Sequence, residues 1–482
     1  MLQKWKAAGD CGAAPSTGSR RRPCVVLSLS MLALAAAILA FLAIVPDLGA
    51  SRLFRDGVKA PPRPTTTTTT TMSHVVFGIA GSMRGHVWFD REPPGPWPEA
   101  TRCPPYRVSG LWEVQSAWRR PYMSRLARIL WDSFLAVAAE AVDGTAASGP
   151  EVRWFVKGDD DTVFFPDNLL AVLQKYDHRE MYYIGAPSES VEQDVALSYG
   201  QAFGGGGIVV SYPAAVALTR AMDDGCLDRY SVLRHSDERV HACLSELGIP
   251  LTREPGFHQV DITGDAYGML AAHPVAPLVS LHHLDRIQPI RPQGKTQLDA
   301  MTSLVGASRL DPARTLQQSF CYHRGRGYNL SVSVAWGYTV QVYPWAVPPV
   351  ELEVPLQTFR TWRGRPNGTF LFNTRPLSPG DACARPAVFF LSRLRNETGA
   401  GGTVSEYTRH ATPPEECDKP GFRAASAVRS VRVSAPKMSP SDWKRTTEAL
   451  LQGGEDYAEI GSGGADTRVW ESRARQAVEA CV

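Results

Sequence analysis

Apolar and polar positions alternate along much of this chain in short runs that predict strands, separated by stretches with helical spacing. His74-Val75-Val76-Phe77-Gly78-Ile79-Ala80 reads as a buried strand, and Gly85 to Asp90 as a second. From Tyr122 to Val142 the apolar residues Leu126, Ile129, Leu130, Phe134 and Val137 keep a helical stripe, and Asp143-Gly144 ends it. Val152 to Val156 is a strand that runs directly into Asp159-Asp160-Asp161. Pro166 opens a helix through Tyr176, Met181 to Gly185 and Ile208 to Ser211 are strands, and Pro213 starts another helix. Ser236 to Leu247 is a further helix, closed by Gly248. Strands alternating with helices predict an α/β domain on a largely parallel sheet, which binds ligands at the carboxyl ends of its strands.

The texture changes at both ends. Beyond about residue 290, Asn329 to Tyr343 alternates polar and apolar residues and Ala387 to Leu391 is apolar, which predicts a β-rich region at 291–420. From about Gly421 the chain is rich in Ser, Gly and Arg, and residues 421–482 read as a poorly ordered tail. At the other end, Cys24 to Val45 is an uncharged run long enough to span a membrane. Arg20-Arg21-Arg22 precedes it, so residues 1–23 are expected in the cytosol and the bulk in the lumen, with an uncleaved signal-anchor favoured over a cleaved signal. Residues 46–72, with Pro61-Pro62-Arg63-Pro64 and the threonines 65–71, read as an extended stem. Sequons at Asn329, Asn367 and Asn396 all lie on the expected luminal side.

The chain has 482 residues, a net charge of +3 and 21% charged residues. That balance argues against a polyanion-binding protein, and no nucleic-acid module is present. Of nine cysteines, those beyond the span face an oxidising space, where disulfides form. Cys226 and Cys243 flank the helix at 236–247 and are candidates for a bridge; two buried thiols are the alternative. No paired Cys-x-x-Cys spacing suggests a zinc site.

Chemistry concentrates in a few places. Three adjacent carboxylates at the end of a buried strand repel one another, which a divalent cation relieves; a solvated acidic turn is the plainer alternative. Phe203-Gly204-Gly205-Gly206-Gly207 lacks the Gly-Lys-Ser/Thr of a nucleotide P-loop. Its glycines suit a close backbone approach or a sharp turn. Asp237-Glu238 opens a helix, where one acid can cap while the other points into a cleft. His282 and His283 close the apolar run from Pro274 to Leu281.

Together with Ser188-Glu189-Ser190, Glu254-Pro255-Gly256-Phe257-His258-Gln259, Ala271-Ala272-His273-Pro274 and Ser333-Val334-Ala335-Trp336-Gly337-Tyr338, these motifs resemble the fringe-like glycosyltransferases. The closer resemblance is to plant fringe-related proteins that carry the domain of unknown function 604, and it covers about residues 73–420. It implies a GT-A fold over 73–290 related to glycosyltransferase family 31, and inverting transfer from a UDP-sugar to a glycan or glycoprotein hydroxyl in β1,3 linkage. It also implies Mn2+ on Asp161 and His283, with Asp159, Asp160, Gly205 and Gly206 against the sugar nucleotide. Glu238 stands in the place of the family's base, with Asp237 beside it, and His282 is left as a core residue. The implied setting is the Golgi membrane, as a single-pass type II protein.

One stretch departs from the family. Relatives place a basic helical segment after the first strand, whereas here Gly81-Ser82 runs directly into Met83-Arg84-Gly85. Adjacent parallel strands ordinarily need a crossover of a dozen or more residues. The second strand is therefore expected to turn back antiparallel as a hairpin, or else the first βα unit is damaged. The second outcome would leave a membrane-anchored glycan- or protein-binding relative without full activity.

Overall fold

A computed structural model describes residues 69–79, 85–89, 106–108, 121–142, 151–291, 296–364, 368–377, 381–397, 401–410, 417–440, 443 and 479–481. Among them no helix is long and apolar enough to cross a membrane. The span at Cys24–Val45 and most of the stem lie outside the described residues.

Strands β1 (Val75–Ile79), β2 (Gly85–Phe89) and β3 (Tyr106–Val108) precede helix α1 (Pro121–Val142). Then come β4 (Trp154–Gly158), β5 (Val163–Phe164), α2 (Pro166–Leu173), β6 (Tyr183–Gly185), α3 (Val191–Ala196) and β7 (Ile208–Ser211). Helices α4 (Tyr212–Asp223), α5 (Cys226–Arg229) and α6 (Ser236–Glu246) lead to β8 (Leu251–Arg253), β9 (Phe257–His258), β10 (Ile262–Gly264), α7 (Tyr267–Ala271) and β11 (Ser280–Leu281). Cys226 and Cys243 are joined as a disulfide that ties α5 to α6.

The main sheet runs β3-β2-β1-β4-β7-β6-β8. It is mixed: β1 pairs in parallel with β2 and β4, and β7 is antiparallel to both β4 and β6. Its two faces follow from the strand period of two. Phe155, Tyr183, Ile208 and Val210 pack with Leu130, Leu218, Val240 and Leu244 on one side. Trp154, Val156, Ile184 and Val209 pack with Phe164, Leu169 and Val172 on the other.

The parallel pairing of β1 with β2 corrects the hairpin expectation. Phe77 lies opposite Gly85 and Ile79 opposite Val87, so β2 starts two residues behind the end of β1. The chain therefore steps back only about 7 Å along the strand and about 5 Å sideways. Residues 80–84 lie outside the described residues, and a segment of that length reaches about 20 Å. A stagger between strands thus replaces the helical crossover.

The C-terminal region begins with α8 (Gln297–Leu310) and an antiparallel meander of β12 (Gln318–Gly325), β13 (Tyr328–Ala335) and β14 (Thr339–Tyr343). The alternating run at 329–343 is a hairpin, broken at Gly337, whose φ of 78° suits glycine. After α9 (Pro349–Leu352) and β15 (Phe359–Thr361), the meander resumes with β16 (Ala387–Asn396) and β17 (Gly402–Arg409). Asn329 and Asn396 are exposed on it, while Asn367 lies outside the described residues. A second disulfide joins Cys383 and Cys417.

Two expectations change here. The tail does not begin at residue 421, because α10 (Pro420–Ala427) and β18 (Ser430–Pro436) are ordered, and β18 pairs with β17 and with β19 (Glu479–Cys481). Val431, Val433 and Ala435 alternate into the core, a period that the surrounding Ser and Arg hide from a compositional reading. Nor does the core divide at the boundary between 73–290 and 291–420. Phe165, Ile262, Leu270 and Leu284 share one core with Leu304, Tyr338, Phe359 and Phe390. Val433→Ala should destabilise the protein by about 2 kcal/mol in urea unfolding; an unchanged midpoint would place β18 outside the cooperative core.

Candidate metal centre

A three-stranded sheet, β5-β11-β9, brings the chemical segments together. β5 is antiparallel to β11, with Val163 opposite Leu281, so Asp161-Thr162 before β5 meets His282-His283 after β11. β9 is parallel to β11, with His258 opposite Leu281, so Gln259-Val260-Asp261 leaves on the same side as the histidines.

Asp161, His282 and His283 form a group whose ligand atoms all lie within 4.8 Å of one another. His282 Nε2 stands 2.7 Å from Asp161 Oδ1, and His282 Nδ1 donates to the carbonyl of Gln259 at 3.3 Å. His283 Nδ1 lies 3.1 Å from Asp261 Oδ1, and its ring stacks on Trp362 at 4.5 Å. Asp261 is itself buried and accepts from Ser188 Oγ at 2.7 Å. Each imidazole thus gives Nδ1–H to an oxygen, the outer support that metal-binding histidines use to present Nε2. Burial works against charge on both partners of the His282–Asp161 contact, and their attraction outweighs it. It lifts His282 above the ordinary histidine pKa and holds Asp161 below the ordinary aspartate value. Two imidazoles and a carboxylate suit a divalent transition metal. His282, read from the sequence as a core residue, is therefore part of the group along with His283.

The other aspartates are engaged mainly elsewhere, although Asp159 Oδ2 also lies 3.9 Å from His282 Nε2. Lys157, in the middle of the apolar strand β4, is fully buried, with Nζ 3.1 Å from Asp159 Oδ1 and 3.3 Å from Asp237 Oδ1. Burial disfavours its charge, yet the two carboxylates more than offset this and keep it protonated above the usual lysine pKa. Asp160 is exposed. Asp237 also accepts from the Gly204 N–H at 2.9 Å through its other oxygen, so both of its oxygens are engaged. Glu238 caps α6 by accepting from the His235 N–H at 3.0 Å with one oxygen.

The glycine run is buried, and its form answers to the protein's own side chains. A Cβ on Gly204 would strike Lys157 Nζ, and one on Gly205 would strike the His282 ring. Gly206 donates to Gln259 Oε1 at 2.6 Å and accepts from Ser280 Oγ, while Thr162 Oγ1 donates to the Gly205 carbonyl at 2.8 Å. Of Gly205 and Gly206, both expected against the sugar nucleotide, Gly205 lies against the His282 ring and Gly206 is held by Gln259 and Ser280.

Around this centre lies a buried acidic shell. Asp194 accepts from the Ser188 N–H at 3.0 Å. Burial, with repulsion from Glu189 and Asp261, outweighs that hydrogen bond and pushes its carboxyl up to about 7. Lys157 could have been noticed as one cation inside an apolar strand; Asp261 and Trp362 carry no local signal, because only the fold brings them to His283.

A family profile described as "Protein of unknown function, DUF604" matches residues 193–450. One described as "Fringe-like" matches residues 115–266. The chain is also similar to a "Beta-1,3-glucosyltransferase" from Mus musculus, 31% identical over 145 residues, covering 29% of this chain and 27% of that protein. It therefore spans about a quarter of the length of that curated relative.

Two outcomes follow from the charges. Lys157→Met should cost about 3–5 kcal/mol, because it strands two partly buried carboxylates, and adding Asp237→Asn should recover part of that in urea unfolding. The unfolded chain releases the Asp194 proton near 3.8 and the folded chain only near 7, so stability is lost as pH rises through that window. Asp194→Asn keeps the oxygen for Ser188 and should gain on the wild type between about pH 4 and 7, then run level above it. Parallel curves across the window would refute the shift.

Proposed function

The chain belongs to the DUF604 family, and from that premise we propose that it is a glycosyltransferase that takes a sugar from a UDP-sugar and joins it to a hydroxyl of a glycan or glycoprotein. The observation that carries this reading is the meeting of Asp161, His282 and His283 at one end of the β5-β11-β9 sheet, within a chain that matches a fringe-like profile. These residues would hold Mn2+, which when bound offsets the negative charge that grows on the departing diphosphate. In the metal-free protein the His282–Asp161 contact balances the charge of the Asp161 carboxylate.

The chain's own groups supply the rest. Inversion needs a base on the acceptor hydroxyl, opposite the leaving group. Asp237 is committed to Lys157 and Gly204 through both oxygens, whereas Glu238 spends only one on its cap. Glu238 takes the hydroxyl proton as the acceptor oxygen bonds to the anomeric carbon, and the bond to the diphosphate breaks with its electron pair leaving on UDP. Asp159 and Asp160, on the same turn as Asp161, contact the nucleotide or donor sugar. The activity named for the mouse relative supports a β1,3 linkage. The expected setting is the Golgi membrane, with Cys24–Val45 as a single type II span and the catalytic part in the lumen.

A second reading is a glycan-binding relative with weak or no transfer, favoured by the short link at residues 80–84 between β1 and β2. UDP release from a panel of UDP-sugars with Mn2+ separates the two. Asp161→Asn should abolish release and weaken Mn2+ binding. Glu238→Gln keeps a capping side chain, and should lower release by about 100-fold or more while leaving Mn2+ binding intact. Release that persists in both variants would sink these roles, and no release with any donor would favour the binding module.

A further inference from the structure

We propose that Trp362, supplied by the C-terminal region, is a positioning residue that clamps His283 and raises the affinity of the centre for a divalent cation. This rests on the reading of Asp161, His282 and His283 as a metal centre.

The geometry is set by a short strand pair. β15 runs antiparallel to β10, with Thr361 opposite Ile262. One step further along that ladder, Trp362 falls beside Asp261, the residue that holds His283 Nδ1. The Trp362 and His283 rings are close to parallel, at 20°, with centroids 4.5 Å apart. His282 lies against His283 as well, at 3.7 Å. His283 therefore has its ring stacked on an indole, with the tilted imidazole of His282 also against it, and its Nδ1 edge fixed by a buried carboxylate. Among the described residues, only its Nδ1 has a hydrogen-bond partner, which leaves Nε2 open.

Such restraint has a visible counterpart in the backbone. His283 has φ 51° and Val260 has φ 56°, both in the left-handed region, and Val260 is β-branched. Conformations of this kind persist where the surroundings over-determine them, and they concentrate at functional sites. Val260 stands between Gln259 and Asp261, the residues that receive the Nδ1–H of His282 and His283.

The indole does more than fill space. Coordination draws electron density from an imidazole, and a ring made more positive is attracted to the electron-rich face of Trp. The stack is then stronger in the metal-bound state than in the free one, which is what lets a contact shift a binding equilibrium. An aliphatic side chain of similar bulk lacks this effect.

Calorimetric titration of the full-length protein with Mn2+ alone, without nucleotide or acceptor, tests the clamp. Trp362→Leu and Trp362→Ala should weaken Mn2+ binding by about tenfold, as outer-shell substitutions do, and Trp362→Phe should stay close to wild type. Unfolding temperatures measured in chelator should agree within a few degrees between Phe and Leu variants, which separates the clamp from simple packing. Wild-type Mn2+ affinity in Trp362→Leu, with Asp161→Asn losing it, would overturn the role of Trp362 and leave the metal centre standing. Failure of the wild type itself to bind Mn2+ would overturn both.

Discussion

A fully buried ammonium is sustained only by carboxylates around it, and Lys157 imposes that condition on three separate parts of the chain. Asp159 must turn inward from the acidic loop, Asp237 must sit at the start of α6, and residue 204 must be glycine so that nothing occupies the place of Nζ. Asp237 then also receives the Gly204 N–H, which locks the glycine run to the helix. With Asp159 drawn toward Lys157, Asp161 remains for the histidines. One internal cation thus draws one of three adjacent aspartates inward and relieves part of the repulsion among them.

The second constraint is topological. β5, β9 and β11 are only two residues long each, too short to stand as a sheet without other support. They hold because both flanking cores cover them, with Phe164 and Phe257 in one and Leu281 in the other. Their worth lies in register. A slip by one residue would turn every side chain to the other face and separate Asp161 from the histidines. The left-handed residues Val260 and His283 are each the second residue past the ends of β9 and β11, where the chain has to turn while keeping consecutive side chains on the centre.

How far the sequence could be read follows from the range of the forces involved. Helix α1 and strand β7 show in the pattern because a local apolar stripe determines them, and the acidic loop shows because its charges adjoin. The run at residues 329–343 shows as β structure, although its break at Gly337 is easily passed over. β18 was hidden because three buried residues lie among Ser and Arg, which dominate composition without affecting the inward face. The β1–β2 pairing escapes an argument from crossover length alone because that argument omits the stagger between the strands. At the site, Asp161 and His283 stand out in the sequence, whereas His282 reads as a core residue and the partners of both histidines carry no local signal. Gln259, Asp261 and Trp362 meet them only through strand pairing.

Strand pairing also changes what counts as the unit of function. A boundary near residue 290 follows the change from mixed α/β to β-rich texture, yet the physical links cross it. β10 pairs with β15, Gln341 donates to the Tyr267 hydroxyl at 2.5 Å, and Tyr338 donates to the Ile290 carbonyl at 2.6 Å. Asn168, at the start of α2, donates to the carbonyls of both Leu278 and Pro312. The DUF604 match, from residue 193 to 450, spans the same junction, while the fringe-like match ends at 266. A fringe-like fold cut at the texture change would keep Asp161 and both histidines but would lose the strand partner of β10 and the indole on His283. The C-terminal region is thus one wall of the centre, and its β-rich meander is the scaffold that keeps that wall in place.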